Sequence, residues 1–247
     1  MNRAELDGPR VPPARGGQPR QLIVFLHGYG ADGNDLIGLA PYFQRRLPDA
    51  AFVSPHAPEP VPGFPPGMGG GRQWFSLARY DPNMMRRMNA DGVHAAQAAD
   101  VYRHMLEGAE TARPALDRFL DAELQRLKLT ARELVLVGFS QGAMMALHVG
   151  LRREPGPAAI IGFSGALIGA DQLAAEARCR PRVLLVHGDA DEVVPLPARH
   201  AALNALAKAE IPAQWHITPG GGHGIDAAGI ERALEVIGGA FAPNKDA

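Results

Sequence analysis

Ser140 carries the strongest chemical signal in the sequence. It stands at the centre of Gly138-Phe139-Ser140-Gln141-Gly142, which matches the pattern G-x-S-x-G. The strand-like run ELVLV precedes the pattern, and the helix-like run QGAMMALHVGLRR begins inside it. A serine on such a strand-to-helix turn has an exposed hydroxyl, and the helix N-terminus favours negative charge that develops beside it. The pattern therefore predicts a nucleophilic serine.

The pentapeptide alone would be a weak signal, because the chain contains 29 glycines. Ser164 illustrates why the strand before the motif and the helix after it matter. Its surroundings, Gly162-Phe163-Ser164-Gly165, look similar, but Ala166 replaces the second glycine and no amphipathic helix begins there. We therefore assign the nucleophile to Ser140 and not to Ser164.

A serine hydroxyl needs a general base, and the base needs an acid that orients it. In strand–turn–helix hydrolases these groups follow in the order serine, acid, histidine. After the strand-like run RVLLVH comes a loop that contains Asp189, Asp191 and Glu192. We favour Asp191 as the acid, partly on a resemblance described below. Asp189 is its competitor, although we expect it to organise the turn by accepting backbone N–H groups.

His223 is the best candidate for the base among nine histidines. It lies in the loop PGGGHG, between the last strand-like run and the last helix-like run. It is the only histidine that is both downstream of the acid and in a glycine-dense loop. His216 falls within an alternating strand and His200 within a helix-like run, so both are expected to be structural.

Hydrolysis of an acyl group also needs two N–H donors for the oxyanion. One should be the backbone N–H of Gln141, which follows the nucleophile. The other should come from the loop LHGYG after the first clear strand, and we assign it to the backbone N–H of Tyr29. His27 is expected to support that loop.

The elements that must position these residues alternate between strands and helices. Six short apolar runs, most of them nearly continuous in Val, Ile and Leu, indicate strands covered on both faces. They are Gln21–His27, Ala50–Ser54, Glu133–Phe139, Ala158–Phe163, Arg182–His187 and Gln214–Thr218. Helical stretches lie around Leu116–Leu127, Leu196–Glu210 and Asp226–Phe241. The alternation predicts an α/β fold with a mostly parallel, doubly wound sheet and helices on both faces.

The length of 247 residues fits one domain, which we place at residues 21–242. Residues 1–20 are rich in Pro, Gly and Arg and are predicted to form a flexible lead-in, and residues 243–247 a tail. The lead-in lacks the apolar core of a secretory signal, and no apolar run has the length of a membrane span. We expect a cytoplasmic protein without stable membrane insertion.

The net charge of -1 offers no electrostatic reason for a nucleic-acid partner. Cys179 is the only cysteine, so an intramolecular disulfide is excluded and a structural role is favoured. The histidines show no clustered ligand spacing, so we expect neither a metal nor another cofactor.

Two stretches depart from the alternation of strands and helices. Residues 60–71 are dense in Pro and Gly and are predicted to form a loop. Residues 80–110 contain Met84, Met85 and Met88, followed by an Ala-rich helical segment. We favour the interpretation that residues 80–110 form an insertion that caps the sheet. The alternative is a cover over a substrate groove, because methionine side chains adapt to varied acyl groups.

Several motifs together resemble the bacterial phospholipase/carboxylesterase family, which is related to acyl-protein thioesterases and lysophospholipases. They are LHGYGADGNDLIGLA, FVSPHAP, RQWFSL, LVGFSQGAMMALH, GFSGAL, LLVHGDADEVVP and GGGHGID, and they extend from residue 21 to 241. The resemblance implies an α/β-hydrolase with little or no lid, no cofactor and the triad Ser140, Asp191 and His223. It places the second oxyanion donor at Tyr29, where relatives more often have leucine.

The resemblance also suggests that Trp74 lines the acyl side of the pocket, with ordinary core packing as the alternative. Phe64 and Met68 are further candidates for substrate binding. Apolar residues from Phe64 to Phe75 are also a candidate contact for a homodimer. Residues 80–114 form a longer segment than in compact relatives, so detailed substrate preference does not transfer.

The predicted function is a serine hydrolase that cleaves a small-molecule or lysophospholipid-like carboxylic ester through an acyl-enzyme. An acyl-protein thioesterase that uses the same site is the alternative. A dienelactone-hydrolase-like activity is less favoured, because that group is expected to have cysteine at position 140. A non-catalytic binding protein on a hydrolase scaffold is disfavoured, because all three triad candidates are present.

Overall fold

The computed structural model describes residues 5–63, 71–79 and 95–242. Its central sheet has the strand order β1-β3-β2-β6-β7-β8-β9. All neighbouring strands in this sheet are parallel except β1, which pairs antiparallel with β3. The strands are β1 Arg10–Val11, β2 Gln21–Leu26, β3 Ala50–Val53, β6 Leu134–Phe139, β7 Ala159–Phe163, β8 Arg182–Gly188 and β9 Ala213–Thr218. A separate two-stranded ribbon consists of β4 Glu59–Pro60 and β5 Arg72–Gln73.

Helices cover both faces of the sheet. In the described residues they are α1 Gly33–Leu36, α2 Ala40–Gln44, α3 Ala95–Leu127, α4 Gln141–Gly150, α5 Leu173–Glu176, α6 Pro197–Lys208 and α7 Ala227–Phe241. Two short 3₁₀ turns lie at Ile37–Leu39 and Ala131–Glu133. No helix in these parts of the chain is both long enough and apolar enough to cross a lipid bilayer.

The apolar side chains of the strands divide between two cores, one on each face of the sheet. Leu22, Val24 and Leu26 of β2 pack into the core that includes α3, α4 and α6. Ile23 and Phe25 of the same strand pack into the core that includes α2 and α7. Because successive side chains of a strand point to opposite faces, a strand buried on both sides must be continuously apolar. The predicted α/β-hydrolase fold is confirmed.

The six predicted strands are present with ends that differ by at most one residue. The first strand of the sheet, β1, falls inside the segment that was predicted as a flexible lead-in. Arg10 attaches this segment to the domain: its Nη2 and Nε donate to Glu123 Oε1 at 2.7 and 3.0 Å. A two-residue strand is too short to show a period in the sequence, and the position of Glu123 on α3 depends on the tertiary fold.

The two irregular stretches are described only in part. The two ends of the predicted 60–71 loop lie side by side, because the Val61 N–H donates to Gly71 O at 2.9 Å and Pro60 is the register partner of Arg72. The Ala-rich helical prediction is confirmed from Ala95 onward. Met84, Met85, Met88, Phe64 and Met68 lie outside the described residues, as does most of the stretch on which a lid would depend.

Gly142 allows α4 to approach the sheet closely, and we expect Gly142→Ala to destabilise the protein. A Cβ atom at position 142 would lie 1.9 Å from Leu26 O, on the backbone of β2, which cannot move without disturbing the sheet. We expect the free energy of unfolding to fall by about 3 kcal/mol or more in urea titrations. Gly238→Ala is the matched control. Its Cβ would meet no atom within 4 Å, and alanine should stabilise the interior of α7 by up to about 1 kcal/mol. Equal stability of the two variants would contradict this explanation.

Cys179 is half-buried, and its Sγ lies 3.1 Å from Gly150 O. Burial raises the pKa of this thiol from 9.0 to about 11. Only the thiolate reacts with iodoacetamide, so labelling at pH 8 should be about a hundredfold slower than for an ordinary thiol. Mass spectrometry would measure the rate, with the urea-unfolded protein as the reference. Rapid labelling of the folded protein would show that the thiol is not held in this environment.

Candidate active site

Ser140 lies between the last residue of β6 and the first residue of α4. Its backbone has φ +52° and ψ -116°, a left-handed conformation that side-chain-bearing residues rarely adopt. The Ser140 N–H donates to Phe163 O at 2.9 Å, and the Ser140 carbonyl accepts from Ala143 N–H at 3.0 Å. These bonds fix the turn against β7 on one side and α4 on the other. Local strain of this kind is concentrated at functional sites.

Gly138 and Gly142, the outer residues of the pattern, are required by this turn. A Cβ at position 138 would lie 2.3 Å from Gly142 O. Strand and helix therefore approach each other so closely that neither position can carry a side chain. The motif that was recognised in the sequence thus has a direct steric explanation.

His223 and Asp191 are brought together by the loops that follow β9 and β8. His223 Nδ1 lies 2.9 Å from Asp191 Oδ2 and 3.1 Å from Oδ1. The Asp191 side chain is fully buried, whereas that of His223 is partly accessible. The Phe139 ring packs against the imidazole, with ring centroids 4.9 Å apart. The position of the His223 ring is therefore set by the Asp191 carboxylate and by the neighbouring Phe139 ring.

The Asp191 carboxylate is kept ionised by its hydrogen bonds. Its Oδ1 accepts the N–H groups of Val193 at 2.9 Å and Val194 at 2.8 Å. Burial by itself would raise the pKa of Asp191, but the hydrogen bonds from His223 and from the two valine amides outweigh burial and lower it. A negative charge therefore lies beside His223 Nδ1 at neutral pH and can stabilise an imidazolium.

Asp189 has a different environment from Asp191. Its Oδ1 accepts the Gly220 N–H at 2.7 Å, and the adjacent Ala190 N–H donates to Gly221 O at 2.9 Å. Asp189 therefore joins the acid loop to the glycine-rich loop that carries His223. It occupies the turn-organising position that was expected of it, and the structure places Asp191 against the histidine.

His187 near the end of β8 was not singled out in the sequence, yet it contacts the same loop. Its Nε2 lies 2.7 Å from Val194 O and 3.4 Å from Asp191 Oδ2. A carbonyl can only accept, so Nε2 carries the proton. Burial lowers the pKa of His187, which keeps the ring neutral. Only the tertiary contact with Val194 distinguishes this histidine, so no signal in the sequence could have identified it.

One cavity of about 420 Å³ connects the candidate residues. Ser140, His223, Tyr29 and Gln141 all line it, together with Gly28, Leu77, Met105, Phe139, Met144, Val193 and Val194. The wall is thus mainly apolar and contains a few polar groups, as is typical of small-molecule sites. Of the apolar lining residues, Met144 could have been found from the sequence, because it lies one helical turn after Ser140.

The two residues that are expected to provide the oxyanion donors, Tyr29 and Gln141, both line this cavity. Gln141 is the first residue of α4, where backbone N–H groups lack partners within the helix. Within the described residues, neither the Gln141 N–H nor the Tyr29 N–H donates to a protein acceptor. Both N–H groups are therefore available to a ligand oxygen.

Trp74 does not line the cavity, contrary to the suggestion from the resemblance. Its side chain is 1% exposed and belongs to the α3–α4 core, and its Nε1 donates to His27 O at 2.9 Å. The neighbouring Phe75 is also buried. The two described apolar side chains of the stretch that was considered for a homodimer contact, Trp74 and Phe75, are therefore part of this chain's own core, and residues 64–70 of that stretch lie outside the described residues.

The remaining polar candidates are accounted for by structural contacts. Buried Ser164 also has a left-handed φ, of +48°, and its Oγ lies 3.4 Å from Gly224 O. His27 accepts the Ala57 N–H at Nε2, at 3.0 Å, and burial lowers its pKa. No group of three or more His, Cys, Asp or Glu side chains in the described part of the chain could hold a metal ion.

A family model of the phospholipase/carboxylesterase family matches residues 11–238. The chain belongs to this family. The match spans Ser140, Asp191 and His223 and the loops that carry them. Membership in the phospholipase/carboxylesterase family thus agrees with the resemblance that the motifs indicated.

Individual relatives within this family group are similar over most of their length. The chain is 28% identical to esterase YpfH of Escherichia coli strain K12, over 87% of this chain and 81% of that protein. It is 29% identical to acyl-protein thioesterase 1 of Saccharomyces cerevisiae, over 72% and 73% of the two chains. Among solved structures, esterase PE8 is 38% identical with a TM-score of 0.81, over 96% of this chain and 100% of that one.

Proposed function

We propose that the protein is a serine hydrolase of carboxylic esters, with Ser140 as nucleophile, His223 as general base and Asp191 as the orienting acid. Family membership assigns the class of reaction, hydrolysis of carboxylic esters. The observation that carries the residue roles is the hydrogen-bonded His223–Asp191 pair at a cavity that both His223 and Ser140 line. A nucleophile, an oriented base and two free N–H groups at one apolar cavity satisfy the requirements of acyl transfer.

The reaction proceeds in two halves. His223 Nε2 takes the proton from Ser140 Oγ, which attacks the ester carbonyl, and the resulting oxyanion is bound by the N–H groups of Tyr29 and Gln141. His223 then gives its proton to the leaving alcohol, and an acyl-enzyme remains on Ser140. Water repeats the sequence and releases the acid. Asp191 holds the Nδ1–H tautomer and stabilises the imidazolium in both halves.

The apolar wall favours an ester with an aliphatic acyl group, such as a small-molecule or lysophospholipid-like ester. A second candidate is hydrolysis of thioesters on acylated proteins. It is supported by the similarity to several proteins named acyl-protein thioesterase 1. Both substrates would use the same groups, because the tetrahedral intermediate carries its charge on the same oxygen.

A fluorophosphonate probe and a matched substrate panel test the proposal. The probe should label the wild-type protein at Ser140, as mass spectrometry of the modified peptide would show, because only an activated serine reacts. Oxygen esters and thioesters of equal acyl length should then be compared by kcat/KM, which ranks them by transition-state binding. Absence of labelling together with absence of hydrolysis would support the non-catalytic alternative. A clear preference for the thioesters would favour the second candidate.

A further inference from the structure

Residues 71–75, here called the bridge segment, are attached to the turn that follows β2. The Gly30 N–H donates to Arg72 O at 3.0 Å, and the Arg72 N–H donates to Ala31 O at 2.8 Å. Gly71 approaches so closely that an added Cβ would lie 2.0 Å from Gly30 O. The bridge segment is therefore fixed to the turn that provides the first proposed oxyanion donor.

The same segment is attached to the residue that provides the second donor. The side chain of Gln141 is buried, and the Trp74 N–H donates to its Oε1 at 2.8 Å. Its Nε2 donates to Phe75 O at 2.7 Å. The main chain of the bridge segment thus satisfies both ends of the Gln141 side-chain amide. The backbone N–H of Gln141, a residue that lines the cavity, has no acceptor among the described residues.

The Trp74 indole bonds the bridge segment to the chain just before the first donor, Tyr29. Its Nε1–H donates to His27 O, two residues before Tyr29. The indole and imidazole rings are 5.6 Å apart, and the imidazole is itself held by the Ala57 N–H. All these groups are buried, so water cannot replace a broken bond and each bond holds its partners firmly.

We propose that Trp74 and the side chain of Gln141 are positioning residues, which fix the separation between the Tyr29 and Gln141 N–H groups. The two donors belong to segments far apart in the sequence, and the bridge segment ties them together by the hydrogen bonds of the Trp74 indole and the Gln141 side chain. An oxyanion hole accelerates a reaction only if its donors are already placed where the negative charge develops. This inference rests on the proposed function, because it requires an oxyanion formed at Ser140.

Trp74→Phe tests the proposal, because it keeps an aromatic ring and removes the indole N–H. We expect kcat to fall about tenfold with little change in KM. This loss is smaller than the ~10²-fold to 10³-fold loss caused by deleting one oxyanion donor, because the donor is displaced and not removed. Trp215→Phe is the matched control. Trp215 is 57% exposed on β9, and its variant should behave as the wild type. Gln141→Met removes both amide bonds but keeps the backbone N–H, and its kcat should fall by about 10²-fold.

The inhibition constant of an alkyl trifluoromethyl ketone distinguishes a positioning role from a merely structural one. Ser140 Oγ adds to the ketone carbon, its proton passes to His223, and the carbonyl oxygen becomes an anion bound by the two N–H groups. The inhibition constant should therefore rise in parallel with the loss of kcat/KM in Trp74→Phe and Gln141→Met. The acid limb of the pH profile of kcat/KM should not shift, because the His223–Asp191 pair is untouched.

Three outcomes would overturn the positioning role: unchanged ketone inhibition in both variants, a loss confined to KM, or a shifted acid limb. Circular dichroism checks that each variant is folded. If Trp74→Phe does not fold, Gln141→Glu replaces it, since a carboxylate still accepts the Trp74 N–H but cannot donate to Phe75 O. A wild-type protein that resists the ketone, together with an active Ser140→Ala variant, would overturn the proposed function as well. Inhibited wild type with unaffected variants would overturn the positioning role alone.

Discussion

Ser140→Ala is expected to lower kcat for a short-chain nitrophenyl ester by about 10⁴-fold to 10⁶-fold. Alanine has no hydroxyl, so no acyl-enzyme can form, and only binding and the N–H donors would remain to assist attack by water. The fold should be unaffected, because removing one oxygen leaves the turn bonds of the Ser140 backbone in place. Steady-state kinetics, with far-ultraviolet circular dichroism as the check on folding, would measure the effect.

Ser164→Ala is the matched control for this prediction. Ser164 has a similar glycine-flanked sequence and a similar left-handed backbone, but it is buried and does not line the cavity. Its loss should leave kcat within a few-fold of wild type, because only the 3.4 Å contact with Gly224 O disappears. If Ser140→Ala kept most of the hydrolysis, the assignment of the nucleophile would be wrong. Loss of activity in Ser164→Ala alone would move the assignment to Ser164.

Asp191→Asn is expected to lower kcat by about 10⁴-fold. The N–H groups of Val193 and Val194 require an acceptor, so the amide oxygen of the new side chain should take the place of Oδ1. Its NH₂ group would then lie at the position of Oδ2, 2.9 Å from His223 Nδ1. Nδ1 would have to accept a hydrogen bond, the proton would move to Nε2, and the ring could no longer take the proton of Ser140. Kinetics at several pH values would measure the loss.

Asp189→Asn separates the two aspartates. The asparagine oxygen can still accept the Gly220 N–H, so the turn should persist and activity should stay within tenfold of wild type, about the cost of one weakened hydrogen bond. Partial recovery of Asp191→Asn at high pH, where hydroxide is available as a base, is also expected. Near-normal turnover of Asp191→Asn with an inactive Asp189→Asn would reverse the assignment of the acid.

Much of the site could be predicted because its features are local in the sequence. The G-x-S-x-G turn, the glycine-dense loop of His223 and the loop of Asp191 each follow a strand directly. In a parallel sheet the carboxyl ends of the strands lie at one edge, so chain order and strand order together bring these loops close. The choice between Asp189 and Asp191 rested partly on a resemblance, because the direction of each side chain in this turn depends on backbone angles that the sequence does not contain.

The sequence by itself determined the α/β fold, the strands that carry the candidate site and the strand-to-helix turn at Ser140, because continuous apolar runs and a steric motif depend on neighbours in the chain. Only the tertiary structure decided which groups meet across the sheet edge. It placed Asp191 against His223, added His187 behind the same loop, joined Arg10–Val11 to the sheet and moved Trp74 from the pocket wall into the core. Each of these contacts joins side chains or backbone groups whose partner depends on how separate segments pack. The physical reason is that hydrogen bonding and burial are set by distance in space, which local sequence patterns do not contain.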